Sequence, residues 1–184
     1  MPILGKAWEL HVERLGIQRC GSLARTVGRY QVYLGGHAVF GLDGFMCEPL
    51  GPGDNSIADN GKRVEAGRYP LWTHYGKYRS TGFSTDMRVK GDDPMPALGL
   101  RATGKRIAIL IHPAHPPNPY LSSVGCFNPS EILDASQEID FWDSRERTIK
   151  LLDNLQDYSP DAFEDGKMAR IGGATVVVDG EPAS

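Results

Sequence analysis

An excess of basic charge, an even set of cysteines and a long apolar run are all missing from this sequence, and each absence removes a class of function. Lys and Arg number 20 against 23 Asp and Glu, for a formal charge of −3, so no positive field draws in nucleic acid or an anionic lipid surface. Three cysteines, Cys20, Cys47 and Cys126, cannot form a fully paired framework within the chain, which leaves at least one free thiol. The longest apolar stretches, 107–111 and 174–178, are far too short to span a bilayer. The opening segment from Met1 to Glu9 has no basic region, no apolar stretch and no small-residue cleavage site. It reads as a chain made in the cytoplasm without a secretory signal, or as a mature fragment. Internal repeats and low-complexity tracts are absent as well.

What is present is punctuation. Gly (22) and Pro (13) make up about a fifth of the 184 residues, against about 12% in average usage. That density favours short strands and turns, and the length fits a single domain over 1–184. Strand-like alternation covers 8–17 and 28–34, and Gly35-Gly36 marks a hairpin into a further strand at 40–48. Residues 51–61 are turn chemistry throughout. A strand at 64–75 contains Gly67 and Pro70, which implies an edge or a bulge. The polar stretch 80–100 reads as a flap over a site. The continuous apolar run 107–111 has the pattern of a strand buried on both faces, ending at His112 because Pro113 offers no ladder donor. Ser130 is placed to cap a short helix, and a longer helix is expected over 141–158. Gly166, Gly172 and Gly173 are expected to break the chain before a last strand at 174–178.

One segment carries chemistry. His112 closes the apolar run, and fourteen residues later Cys126 follows Gly125, so the two can meet across a single loop. A thiol at its ordinary pKa is only a few per cent thiolate at neutral pH, and a neighbouring imidazole raises that fraction. Gly125 permits a sharp turn with close approach to the backbone, and the amides around Gly125 and Cys126 can face a developing oxyanion. Ser123 can bond to that turn or orient the histidine. Plainer readings stay open beside this one: Cys126 as a small buried hydrophobe, His112 as a satisfied core histidine, or His112, His115 and Cys126 as a three-ligand zinc site.

The segment resembles the active-site signature of the L,D-transpeptidase catalytic domain, the YkuD-like family: a His, a variable loop, then Ser/Thr-x-Gly-Cys-hydrophobic-Asn/Arg. His112, Ser123, Gly125, Cys126, Phe127 and Asn128 match it in order. Val64-Glu65-Ala66-Gly67-Arg68-Tyr69 looks like a degenerate copy of the family's strand-entry Thr-Pro-x-Gly-x-Phe. The likeness covers about residues 40–135. It departs from the pattern at Val124, Pro113 and Glu65, and in a shorter loop between His112 and Ser123.

The resemblance implies a mostly β fold with α, a β-sandwich with one or two helices after the catalytic Cys. It implies Cys126 as nucleophile, His112 as base with a backbone carbonyl as the third triad member, and Ser123 and Gly125 shaping the catalytic turn. Asn128, His115, Tyr75 and Arg88 are its substrate-binding candidates, with Lys77 and Arg79 near the aromatic cluster Tyr69, Trp72, Tyr75 and Tyr78. The substrate would be the peptidoglycan stem peptide, with no metal and no organic cofactor required. A wall substrate without a secretory signal points to specialised delivery, as for type VI secretion toxins, with an immunity protein and a secretion-tip protein as partners. A phage-type wall protein fits the same facts. The alternative from another class is a non-catalytic module of a secretion system or phage that retains the fold.

Overall fold

A computed structural model describes residues 2–84, 94–164 and 166–182. The fold is mostly β with one α-helix after the cysteine segment. Three long strands come first: β1 (Trp8–Cys20), β2 (Leu23–Leu34) and β3 (His37–Glu48). They are followed by β4 (Gly67–Thr73), β5 (Tyr78–Arg79), β6 (Met95–Pro96), β7 (Leu98–Leu100), β8 (Leu110–Ile111) and β9 (Asn128–Ser130). Helix α1 (Phe141–Tyr158), a 3-10 turn (Pro160–Phe163) and β10 (Arg170–Asp179) complete the chain.

Eight strands form one sheet in the order β8-β7-β4-β10-β1-β2-β3-β9, and β5 and β6 pair separately. Only β1 and β10 run parallel within the large sheet. Its two ends are joined. Ile111 at the end of β8 bridges Phe127, which directly precedes β9. The amide of Phe127 donates to Leu110 O at 2.8 Å, and that of His112 donates to Phe127 O at 3.0 Å. Neither edge is left as an open ladder there, and His112 and Cys126 stand one residue outside this junction on its two strands.

Inside lie Trp8, Leu10, Val32, Leu71, Leu98, Ile111, Phe127 and Val176, all buried, with α1 packed over them through Leu151, Leu152 and Leu155. The helix is entered at Asp140, whose side chain accepts from the Asp143 amide, the expected capping geometry. Its buried face recurs at Ser144, Thr148, Leu151, Leu152 and Leu155 with the helical period. Trp8 Nε1 donates to Asn154 Oδ1 at 2.8 Å and pins the helix to β1. Asp143–Arg147 and Glu146–Lys150 pair along the solvent face, whereas Arg145 is buried.

Four expectations are corrected. The strand expected over 107–111 is only Leu110–Ile111; Ile107 is 75% exposed and Ala108 takes φ 54°, because the turn from Thr103 to Arg106 delivers the chain to the sheet late. No helix starts at Ser130. Residues Asn128–Ser130 instead extend β3, and the Ser130 side chain lies against Cys47 Sγ. Of the edge or bulge expected at Pro70, the bulge is what the sheet has: the strand is interior, between β10 and β7, and the register shifts opposite Pro70, between Arg170 and Thr175, where the ladder lacks a donor. Gly172 and Gly173 therefore sit inside β10 rather than before it, and Gly173 supplies the positive φ of 74°. The flap proposed for 80–100 is corrected at its end, where Leu98–Leu100 form the buried strand β7 of the main sheet, and its residues 85–93 lie outside the described residues. All three cysteines are free.

Candidate active site

The parallel bridge of Ile111 with Phe127 sets His112 and Cys126 on adjacent strands, one residue after and one residue before the bridged pair. The Cys126 turn is held from within. Ser123 Oγ donates to Cys126 O at 2.7 Å and accepts from the Gly125 amide at 3.0 Å. Ser123 is thus a turn former, with no hydrogen bond to His112. A Cβ at Gly125 would collide with Arg106 Nη2 and approach Ile109 Cδ1 to 2.9 Å, so only glycine fits. The Gly125 amide is spent on Ser123, which corrects the expected oxyanion pair; the Cys126 amide has no hydrogen-bond partner among the described residues.

Asn128 is fully buried and both ends of its amide are engaged, Nδ2 donating to His112 O at 3.0 Å and Oδ1 accepting from the Ser122 amide at 3.1 Å. It clamps the His112 backbone to the loop that precedes the cysteine and, fully buried, has no surface to offer a substrate, a correction to its expected substrate-binding role. Asn128→Ala strands a buried carbonyl and a buried amide, and is expected to cost about 1–3 kcal/mol in urea denaturation; a loss under a few tenths would show that the clamp carries nothing. Arg25, also fully buried, supports the same loop, donating to Tyr120 O and Asp134 O with its guanidinium 4.1 Å from the Tyr120 ring centroid.

The His112 ring is buried, and its Nδ1 lies 2.8 Å from Pro113 O. A carbonyl only accepts, so Nδ1 carries the hydrogen and Nε2 keeps the basic lone pair. Burial, aided by the nearby His115, lowers the His112 pKa to about 4, against the pull of that carbonyl. The ring is therefore a neutral base at pH 7. Tyr78 stacks on it with centroids 4.7 Å apart. The same logic assigns His115: Nδ1 donates to Pro116 O, so Nε2 accepts the Tyr78 hydroxyl hydrogen at 2.7 Å. Burial, and the adjacent Cys126, push the Tyr78 phenol up, keeping it a donor.

Cys126 is half-buried and its sulfur contacts the Leu110 amide at 3.3 Å and Ala108 O at 3.6 Å. No hydrogen bond joins it to His112. Burial pushes its thiol up, while the Leu110 N–H and the Arg106 charge pull the other way. The expectation that the imidazole raises the thiolate fraction is thus not met in this resting arrangement. Val124 and Ile107, 78% and 75% exposed, flank the sulfur's neighbours with apolar surface.

Of the other expected residues, Tyr75 is half-buried with its hydroxyl accepting from Thr81 at 3.0 Å, and makes no hydrogen bond or ring contact with Cys126, His112 or His115. The aromatic at the site is Tyr78, flanked by exposed Lys77 and Arg79. Arg88 lies outside the described residues. Among those described, no three His, Cys, Asp or Glu side chains converge as metal ligands, so His112, His115 and Cys126 do not form the zinc set considered above. Arg106 went unnoticed in the sequence, having no local signature. No family model, curated protein or solved structure matches this chain.

Proposed function

We propose that the chain is a cysteine acyl transferase of the L,D-transpeptidase type acting on peptidoglycan stem peptides. The observation that carries the reading is the His112 ring held by Pro113 O, with Nε2 left basic, on the strand that bridges the residue following Cys126. In the reaction Cys126 gives its proton to His112 Nε2 and its sulfur bonds the carbonyl carbon of the third stem residue. The oxyanion takes the free Cys126 amide. The C–N bond to the terminal D-alanine then breaks, and the imidazolium proton passes to that amine, leaving a thioester. An incoming amine or water loses its proton to Nε2, bonds the same carbon and releases the sulfur, which regains the proton. An amine gives a 3→3 cross-link or D-amino-acid exchange; water gives carboxypeptidase activity. For the first step the thiol turns from Ala108 O toward Nε2, as catalytic hydrogen bonds often tighten only with substrate bound. Specialised secretion, with an immunity protein as counterpart, belongs to this proposal.

The missing His112–Cys126 hydrogen bond favours the second reading, a non-catalytic module of a secretion system or phage. Incubation with diaminopimelate-type muropeptides, followed by mass measurement, separates the two. Loss or exchange of D-alanine by the native protein and not by Cys126→Ala supports the transferase. Unchanged masses with both proteins overturn it.

A further inference from the structure

Arg106 is 4% exposed, yet its Nη1 has no hydrogen-bond partner. Its Nη2 donates to Val124 O at 3.2 Å, and the guanidinium lies so close behind Gly125 that no side chain fits there. An unpaired donor on a buried cation leaves the desolvation of that N–H uncompensated. Such a cost is offset when a negative charge forms beside it. Asp54 and Asp59, on the 51–61 loop, contribute to its field permanently, as Tyr69 does on ionisation; Asp54 is already hydrogen-bonded to Ser56. The group in that field whose charge must change in an acyl transfer is Cys126.

We infer that Arg106 is the positioning residue that holds the Val124–Gly125 turn and supplies the fixed positive charge favouring the Cys126 thiolate, a role the resting His112 does not fill. The inference rests on Cys126 being the nucleophile. The groups facing Cys126 are few. Arg106 lies behind the turn, the Leu110 amide and Ala108 carbonyl contact the sulfur, and Tyr78 comes from β5. Behind Tyr78 stand the neutral His112 and its neighbour His115. Arg106 is thus the one side chain of fixed positive charge in that set, and Leu110 N–H the one direct donor to sulfur. A guanidinium stays protonated throughout the working range, so its effect does not switch with pH. Arg106 favours the thiolate whose proton His112 Nε2 takes, so the nucleophile and the proton acceptor are tuned by different residues.

The test follows the rate of iodoacetamide alkylation at Cys126 across pH 6–10, quantified by mass spectrometry of the Cys126 peptide so that Cys20 and Cys47 do not contribute. Arg106→Met is expected to move the midpoint up by about one unit, a roughly tenfold slower reaction at pH 7. Arg106→Lys keeps the charge but loses the Val124 bond, and is expected to stay within a few tenths of the native midpoint. A native midpoint in the Met variant overturns the inference, and so does an equal rise in Met and Lys, which would make the role purely structural. Should the Met variant fail to fold by circular dichroism, Arg106→Gln decides, because it removes the charge and keeps a side chain that can donate to Val124 O. A raised midpoint then supports the role and an unchanged one rejects it. Muropeptide turnover is scored separately: a midpoint shift without turnover keeps the inference and removes the proposed substrate, and turnover without a shift does the reverse.

Discussion

His112→Asn is expected to flatten the acid limb of the stability curve and to slow acyl transfer by about 10²–10⁴-fold, the usual contribution of a general base. The stability effect follows from burial. His112 is 3% exposed, and its folded pKa is lowered from 6.5 to about 4. Between those values the unfolded chain binds a proton that the folded one refuses, so the unfolded state gains as the pH falls. The stabilisation is therefore complete above about 6.5 and is lost as the pH drops through that window toward 4, by about 3 kcal/mol in all. Asparagine removes the titration and retains an amide that can donate to Pro113 O. Urea denaturation at pH 7, 5.5 and 4 reads the difference: the native protein should lose about 3 kcal/mol more than the variant over that range. Parallel curves would mean that His112 is not buried as a neutral ring.

The parts of this molecule that were legible beforehand are those whose cause is local. Ile149, Leu152 and Leu155 at helical spacing name a helix without help from the rest of the chain, and α1 spans Phe141–Tyr158. Gly35 and Gly36, at φ 57° and 86°, supply the hairpin geometry wherever the strands go. The cysteine turn is similar, since Ser123, Gly125 and Cys126 bond one another within four residues. What escaped depends on distant partners. Ser130 carries a good capping signal, but pairing with Phe45 across β3 outweighs it. Ile107 has the composition of core, and composition does not distinguish a buried strand from an apolar rim. Tyr78 and Arg106 reach the site from 48 and 20 residues upstream of Cys126 in the sequence numbering, with no spacing rule connecting them. Asn128 was visible as part of a motif, but its orientation into His112 O and Ser122 N appears only when the loop is closed.

Glu48→Ala is expected to be among the most damaging single changes to the fold, costing about 3–5 kcal/mol, because it leaves a buried guanidinium without its main counter-charge. Glu48 takes two hydrogen bonds from Arg14, from Nε at 2.6 Å and Nη2 at 2.9 Å, with both side chains at 1% exposure or less. Arg14 also donates to Val64 O, Gly180 O and Glu181, so one side chain on β1 ties the end of β3 to the approach of β4 and the tail after β10. Glu181 in turn takes Arg63, which donates to Thr26 on β2. Burial holds the Glu48 carboxyl above its ordinary range even against Arg14, so desolvation is the larger influence on that carboxyl. The cost of Glu48→Ala is thus mainly that of the stranded Arg14. Arg14→Met in the same protein is therefore expected to restore most of the lost stability, as apolar replacements of buried pairs often do. Urea denaturation of the two single variants and the double variant measures the coupling. A double variant as unstable as the sum of the singles would show that the two side chains act independently, and that the tie between β1 and β3 lies in the backbone ladder instead.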